Sequence, residues 1–191
     1  MGDKNKVKFG LDNVVYAPIT IDAQGNYSYG TIKSIPGAVN LSLSAEGDSN
    51  DFYADNVKYF SNTANQGYSG DLEIAIIPED FRTDILGETK DTNGVLIEDA
   101  SVIAKGFAFG FQVQGDQANR RFWYYNCTAS RPANNAQTTE ASITPQTDTL
   151  TIKAMPRLTD KKVRAMIEKT DENTAVYNSF FTSVYGAETS E

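Results

Sequence analysis

"YSGDLEIAIIPEDFRTDILG", residues 68–87, changes period halfway along. Up to Ile77 it alternates, with Leu72, Ile74 and Ile76 on one side, the pattern of a strand with one wet face. From Pro78 onward Phe81 and Ile85, joined by Leu86, keep helical spacing. Pro78 suits a first helical position, where no backbone donor is needed, and Glu79 and Asp80 suit the positive end of a helix. Gly87 can take the left-handed conformation that stops one. A helix of about eight residues is too short to persist alone in water, so it must be held by packing. Its simplest seat is across the sheet from which it emerges.

The rest of the chain is dominated by the same alternation. "AVNLSLS" places Val39, Leu41 and Leu43 on one face and Asn40 and Ser42 on the other. "FAFGFQVQ" turns Phe107, Phe109, Phe111 and Val113 inward and leaves Ala108, Gly110, Gln112 and Gln114 outward. In "RRFWYYNCT" Phe122 and Tyr124 read as core, with Trp123 and Tyr125 on the opposite face; "DTLTIKAM" turns Leu150 and Ile152 inward. Alternation rather than solid apolar runs indicates a mostly antiparallel sheet, and Asn93-Gly94 marks a hairpin. The expected fold is mainly β: an antiparallel sandwich or barrel over residues 1–158, with a short flanking helix at about 78–87. Residues 159–191 are expected to form a helical extension. There Thr159 reads as the cap of "DKKVRAMIEK", whose Val163, Met166 and Ile167 lie at helical spacing. "TAVYNSFFTSVYG" follows with Val176, Phe180 and Val184 four apart, although its β-branched and aromatic content also suits a strand. Residues 45–66, polar and acidic with few apolar anchors, read as a long loop that orders only against a partner.

Composition narrows the chemistry. A chain of 191 residues suffices for one domain with a real core. No apolar run approaches the roughly 18 residues of a membrane span, and "MGDKNKVKFG" lacks a signal-peptide core. The initial Met-Gly does not make a myristoylation motif, because Lys6 stands where Ser or Thr is needed. There is no histidine, which removes Ser-His and Cys-His nucleophile pairs and imidazole acid-base catalysis. The one cysteine, Cys127, lies in a strand-like run and reads as a small core residue of a chain folded under reducing conditions. Glu46, Asp48, Asp51 and Asp55 cluster without the ordered oxygen ligands of a calcium loop. Carboxylate pairs such as Asp71 with Glu73 are common along the chain, but nothing in their spacing marks a hydrolase cleft. No phosphate-binding glycine loop is present. No cofactor or metal is expected.

Charge is uneven. Residues 46–99 hold 13 acidic and three basic groups out of a total net charge of −8, whereas residues 151–169 carry six basic and two acidic groups. An acidic body argues against gripping nucleic acid, whose affinity comes from neutralised phosphates.

Taken in order, "FYADNVKYF" (52–60), "YSGDLEIAIIPEDFRTDILG" (68–87), "NGVLIED", "FAFGFQVQGD", "RRFWYYNCTASRP", "QTDTLTIKAMPR" and a terminal "VYG" resemble the major tail (tail tube) protein family of long-tailed phages and prophages of Gram-positive bacteria. Tyr53, Ala54, Asp55, Leu72 to Pro78, Leu86, Gly87, Arg131 and Pro132 carry the likeness, which spans about residues 7–186. The resemblance implies a fold similar to tail-tube and type VI secretion tube subunits. It implies homo-hexameric rings stacked into a hollow tube that passes DNA, with tail terminator, tape measure and baseplate proteins as partners, no membrane and no catalysis. It also implies that the 45–66 segment reaches a neighbouring ring. The candidate contacts between subunits are therefore Asp48, Asp51, Phe52, Tyr53 and Asp55, together with the basic Lys161, Lys162 and Arg164. The alternative on sequence alone is a non-catalytic sandwich that binds sugar or a cell surface, as a receptor-binding or decoration protein, with the "FWYY" aromatics as a stacking face.

Overall fold

The computed structural model describes residues 5–138 and 145–186. Among them lie thirteen strands: β1 Lys8–Ile21, β2 Tyr27–Tyr29, β3 Lys33–Ser34, β4 Ala38–Glu46, β5 Ser49–Ala54, β6 Val57–Thr63 and β7 Gly67–Ile74. After the capping helix come β8 Thr89–Lys90, β9 Leu96–Ile97, β10 Phe107–Gly115, β11 Arg120–Ala129, β12 Asp148–Ala154 and β13 Arg164–Glu168. The main sheet runs β2-β1-β10-β11-β12-β7-β4, every neighbour antiparallel. It is open, with no closed barrel.

The sheet forks at β11. Its first residues, Arg120 to Tyr124, pair with β13, while its last, Cys127 to Ala129, pair with β12. The two arms enclose one core, in which Tyr16, Phe107, Phe109 and Tyr124 meet Leu72, Ile74, Leu150 and Ile152. This is the sandwich that the alternation predicts.

The capping helix seals that core. It begins as one α-helical turn, α1 (Glu79–Phe81), and continues as a π turn over Arg82–Leu86 that ends on Gly87 at φ 80°. Phe81 and Ile85 are fully buried. The Phe81 ring packs edge-on to Tyr16 at 5.0 Å and to Phe107 at 5.3 Å between centroids. Polar contacts pin the outer side: Asp84 accepts a hydrogen bond from the Tyr16 hydroxyl at 3.0 Å and pairs with Lys33 at 2.7 Å. Burial, then the hydrogen bond to Asp84, pushes the Tyr16 hydroxyl far above its ordinary range. The helix therefore covers the sheet, as its length requires.

The C-terminal part departs from expectation. "DKKVRAMIEK" is not a helix: residues 159–163 form a turn and an extended approach, and Arg164–Glu168 is strand β13. Lys161, at φ 60°, breaks a helical path, and the free side of β11 offers a ladder of backbone partners that an isolated helix lacks. Beyond it, α2 (Thr174–Ser179) and the following turns do form in the second candidate segment. They cover the outer face of β1, β10 and β11, where Trp123 and Tyr125 pack with Ala17, Ala108, Phe180 and Val184 in a second core. Gly110 makes room for this: a Cβ there would lie 2.9 Å from the Trp123 ring. The Trp123 Nε1 donates to the Phe180 carbonyl at 2.7 Å. Ala108, Gly110 and Gln112, expected to face water, are thus buried, and Gln112 is satisfied by Arg121 Nε at 2.8 Å and the Tyr177 hydroxyl at 3.2 Å. Trp123 and Tyr125 are no surface for stacking sugars.

Candidate assembly interface

The 45–66 stretch, expected as a loop, is an isolated hairpin of β5 and β6. Asp55 and Asn56 form its turn with φ of 52° and 63°, the two left-handed positions of the turn whose twist suits paired strands. The sequence signal was an Asp-Asn pair between two aromatic runs, Phe52-Tyr53 and Tyr59-Phe60. The register sets Phe52 opposite Phe60 and Ala54 opposite Val57 on one face. On the other, Asp51 pairs with Lys58 at 2.8 Å and accepts from Ser61 Oγ at 2.6 Å. The Lys58 ammonium, followed by Ser61, holds the Asp51 carboxyl below its usual range. Asp48 is exposed beside the hairpin's base and Asp55 at its tip.

Five large apolar side chains stand in water here. Phe52, Tyr53, Val57, Tyr59 and Phe60 are each 58–74% exposed. Singly exposed apolar residues are ordinary, but five on one short two-stranded projection are the kind of surface that a partner covers.

The basic stretch is placed differently. Arg157 is buried, stacked 4.3 Å over the Tyr125 ring, and grips Asp160 through Nε at 3.0 Å and Nη2 at 2.5 Å. Burial raises the Asp160 carboxyl, but the Arg157 guanidinium and the Lys162 N–H outweigh it and hold Asp160 below the usual range. Lys162 also reaches Asp160 at 3.3 Å, so part of its charge is answered within the chain. Lys161 is exposed on the turn, and Arg164, exposed on β13, lies 5.2 Å over the Tyr68 ring. The structure does not bring this basic group together with the hairpin acids in one patch of contacting residues.

Much of the acidic excess is also paired. Glu46 meets Lys153, Glu79 meets Lys90, Glu88 meets Arg82 and Glu98 meets Arg131. Asp71 and Glu73 are not in ion pairs among the described residues. They lie on the outer face of the β4-β7-β12 layer, in rows Asn40-Glu73-Thr149, Ser42-Asp71-Thr151 and Ser44-Ser69-Lys153. Asp71 accepts from Thr151 Oγ1 at 2.7 Å and Glu73 from Thr147 Oγ1 at 2.6 Å. This polar face and the outer edge of β4, unpaired among the described residues, are not singled out by the sequence. The signal, Ser and Asn alternating with Leu in "NLSLS", was visible only as one strand.

Among the described residues no three His, Cys, Asp or Glu converge as a metal site, and no helix is long and apolar enough to cross a membrane. The Cys127 thiol is fully buried, and burial pushes its pKa well above the ordinary range, so it is inert. No curated protein matches the chain. A family model described as phage tail tube protein matches residues 2–183.

Proposed function

The chain belongs to the phage tail tube protein family, a structural component of the virion tail, and on that premise we propose that its subunits close into hexameric rings that stack into a tube conducting DNA. The observation that carries the proposal beyond membership is the β5-β6 hairpin, whose aromatic side chains project into water as they would for a neighbour to cover. Asp48, Asp51, Phe52, Tyr53 and Asp55 are its contact residues in this reading. Lys161, Lys162 and Arg164 face the acidic body of an adjoining subunit.

The open edge of β4 supports ring closure, because pairing it with another subunit removes an edge that otherwise invites uncontrolled aggregation. The wet β4-β7-β12 face supports a bore. It is hydroxyl-rich and carries Asp71 and Glu73, while its one cation in these rows, Lys153, is answered by Glu46, so a duplex would be repelled rather than held. Terminator, tape measure and baseplate proteins are the partners such a tube meets at its ends and within. Electron microscopy of the concentrated protein tests this. Six-fold rings or tubes with a bore about one duplex wide are expected; filled filaments, or rings of another symmetry, overturn it.

A further inference from the structure

The main core does not close at one end. Between the start of β1 and the β4 edge lies a groove of about 530 Å³, floored by Leu41, Leu43, Phe111 and Phe122 and bordered by Phe9, which is 55% exposed. The floor belongs to the core itself, Phe111 buried and Leu41, Leu43 and Phe122 half-buried, so the groove is an opening into the sandwich rather than a surface scratch. Its charged lining is entirely cationic: Lys8, Arg120 and Arg164. Arg120 is matched by Glu168 at 2.6 Å, but Lys8 and Arg164 have no carboxylate partner among the described residues.

We propose that this groove is the receptor for the β5-β6 hairpin of a second copy of the chain. The inference rests on the self-assembly reading above and names the surface that answers the hairpin. Three observations carry it. The hairpin presents Phe52, Phe60, Ala54 and Val57 on one face, an apolar ridge for an apolar trough. Beside that ridge Asp48 at the base and Asp55 at the tip are exposed and in no ion pair among the described residues, while the groove supplies cations and no acid. The hairpin's aromatics are exposed, so the same molecule does not fill its own groove. Ridge and trough are different patches on one subunit, so the contact is heterologous. Such contacts propagate head to tail into rings or open filaments instead of stopping at a dimer.

The full-length chain with Val57→Cys and Phe9→Cys tests the docking, using a short bismaleimide; Cys127 is buried and stays silent. A ladder of covalent multimers is expected, absent from either single variant and from a control pair of Val57→Cys with Leu158→Cys, whose second site is exposed elsewhere. Adding Lys8→Glu and Arg164→Glu should abolish the ladder. Assembled tubes without a ladder overturn the groove and leave the tube standing. A ladder in a protein that forms no tubes supports the groove and counts against the tube. Neither tubes nor ladder overturns both, and an equal ladder from the control pair overturns the groove.

Discussion

Removing the hairpin's aromatic ridge should uncouple assembly from folding. Phe52→Thr with Phe60→Thr keeps β propensity while deleting two rings that are 60% and 59% exposed in the subunit. A phenylalanine offers about 200 Å², so roughly 120 Å² per ring is still in water in the subunit. At about 25 cal/mol per Å², covering both rings in an interface contributes at most ~6 kcal/mol. If half is realised after ordering costs, ~3 kcal/mol remains, and the critical concentration for assembly rises about a hundredfold. Within the subunit the pair contributes only a cross-strand contact, about 0.2–1 kcal/mol, which shifts a melting temperature by no more than about 4 °C at this size. Pelleting across a concentration series measures the first quantity and circular dichroism melts the second. An unchanged critical concentration refutes the interface. A large drop in melting temperature refutes the premise that the ridge is free in the subunit.

Three further outcomes are expected. Phe180→Ala opens the second core beneath Trp123 and should cost about 3–5 kcal/mol, read from the urea midpoint; near-wild-type stability would show that the C-terminal cover is dispensable. Asp160 has a folded pKa below its unfolded value of about 4, so its stabilisation is complete above that value and lost as pH falls through the folded pKa. Asp160→Asn should therefore melt lower than wild type at pH 7, with the gap narrowing toward about pH 3, and a constant gap across this range would count against the pairing. Asp71→Lys with Glu73→Lys should lower subunit melting only slightly, through the surface hydrogen bonds from Thr151 and Thr147 that are lost, yet make assembled tubes retain added DNA at low salt and release it at high salt. Tubes indifferent to DNA would place that face away from the bore.

The strands and the capping helix were legible because their signals are local: alternation, a proline at the start, a glycine at the stop. The helix's depth followed too, since a segment so short can persist only when buried. The errors share a cause. Val163, Met166 and Ile167 fit a helical face, but β11 has one side half free, and a strand that completes a sheet gains a ladder that spacing cannot reveal. The hairpin's polar composition outweighs its Asp-Asn turn signal and so reads as a loop, and its stability as a two-stranded projection is a matter for neighbours rather than for its own sequence.

Alternation alone also misjudged which face stays wet. It holds for β7, β12 and β4 from Asn40 on, where the outward positions are Ser, Asn, Thr and acids; it fails for Val39, turned out at a bulge in β4, and for Ile76, exposed beyond the end of β7. It fails for β10 and β11, because outward Ala108, Gly110 and Trp123 receive α2 and the turns after it from far along the chain, Phe180 lying 57 residues beyond Trp123. That cover has a functional consequence. With the outer face of β1, β10 and β11 sealed at Trp123 and Tyr125, the broad polar sheet face left among the described residues belongs to the β4-β7-β12 layer. The same layer ends in the edge of β4, unpaired among the described residues, and leads directly into the hairpin, so in the proposed tube one strand would join the bore-facing surface, the lateral edge and the projecting arm. A distortion at β4 should therefore be felt in every contact a tube subunit makes, whereas one at the C-terminal cover should be felt in folding.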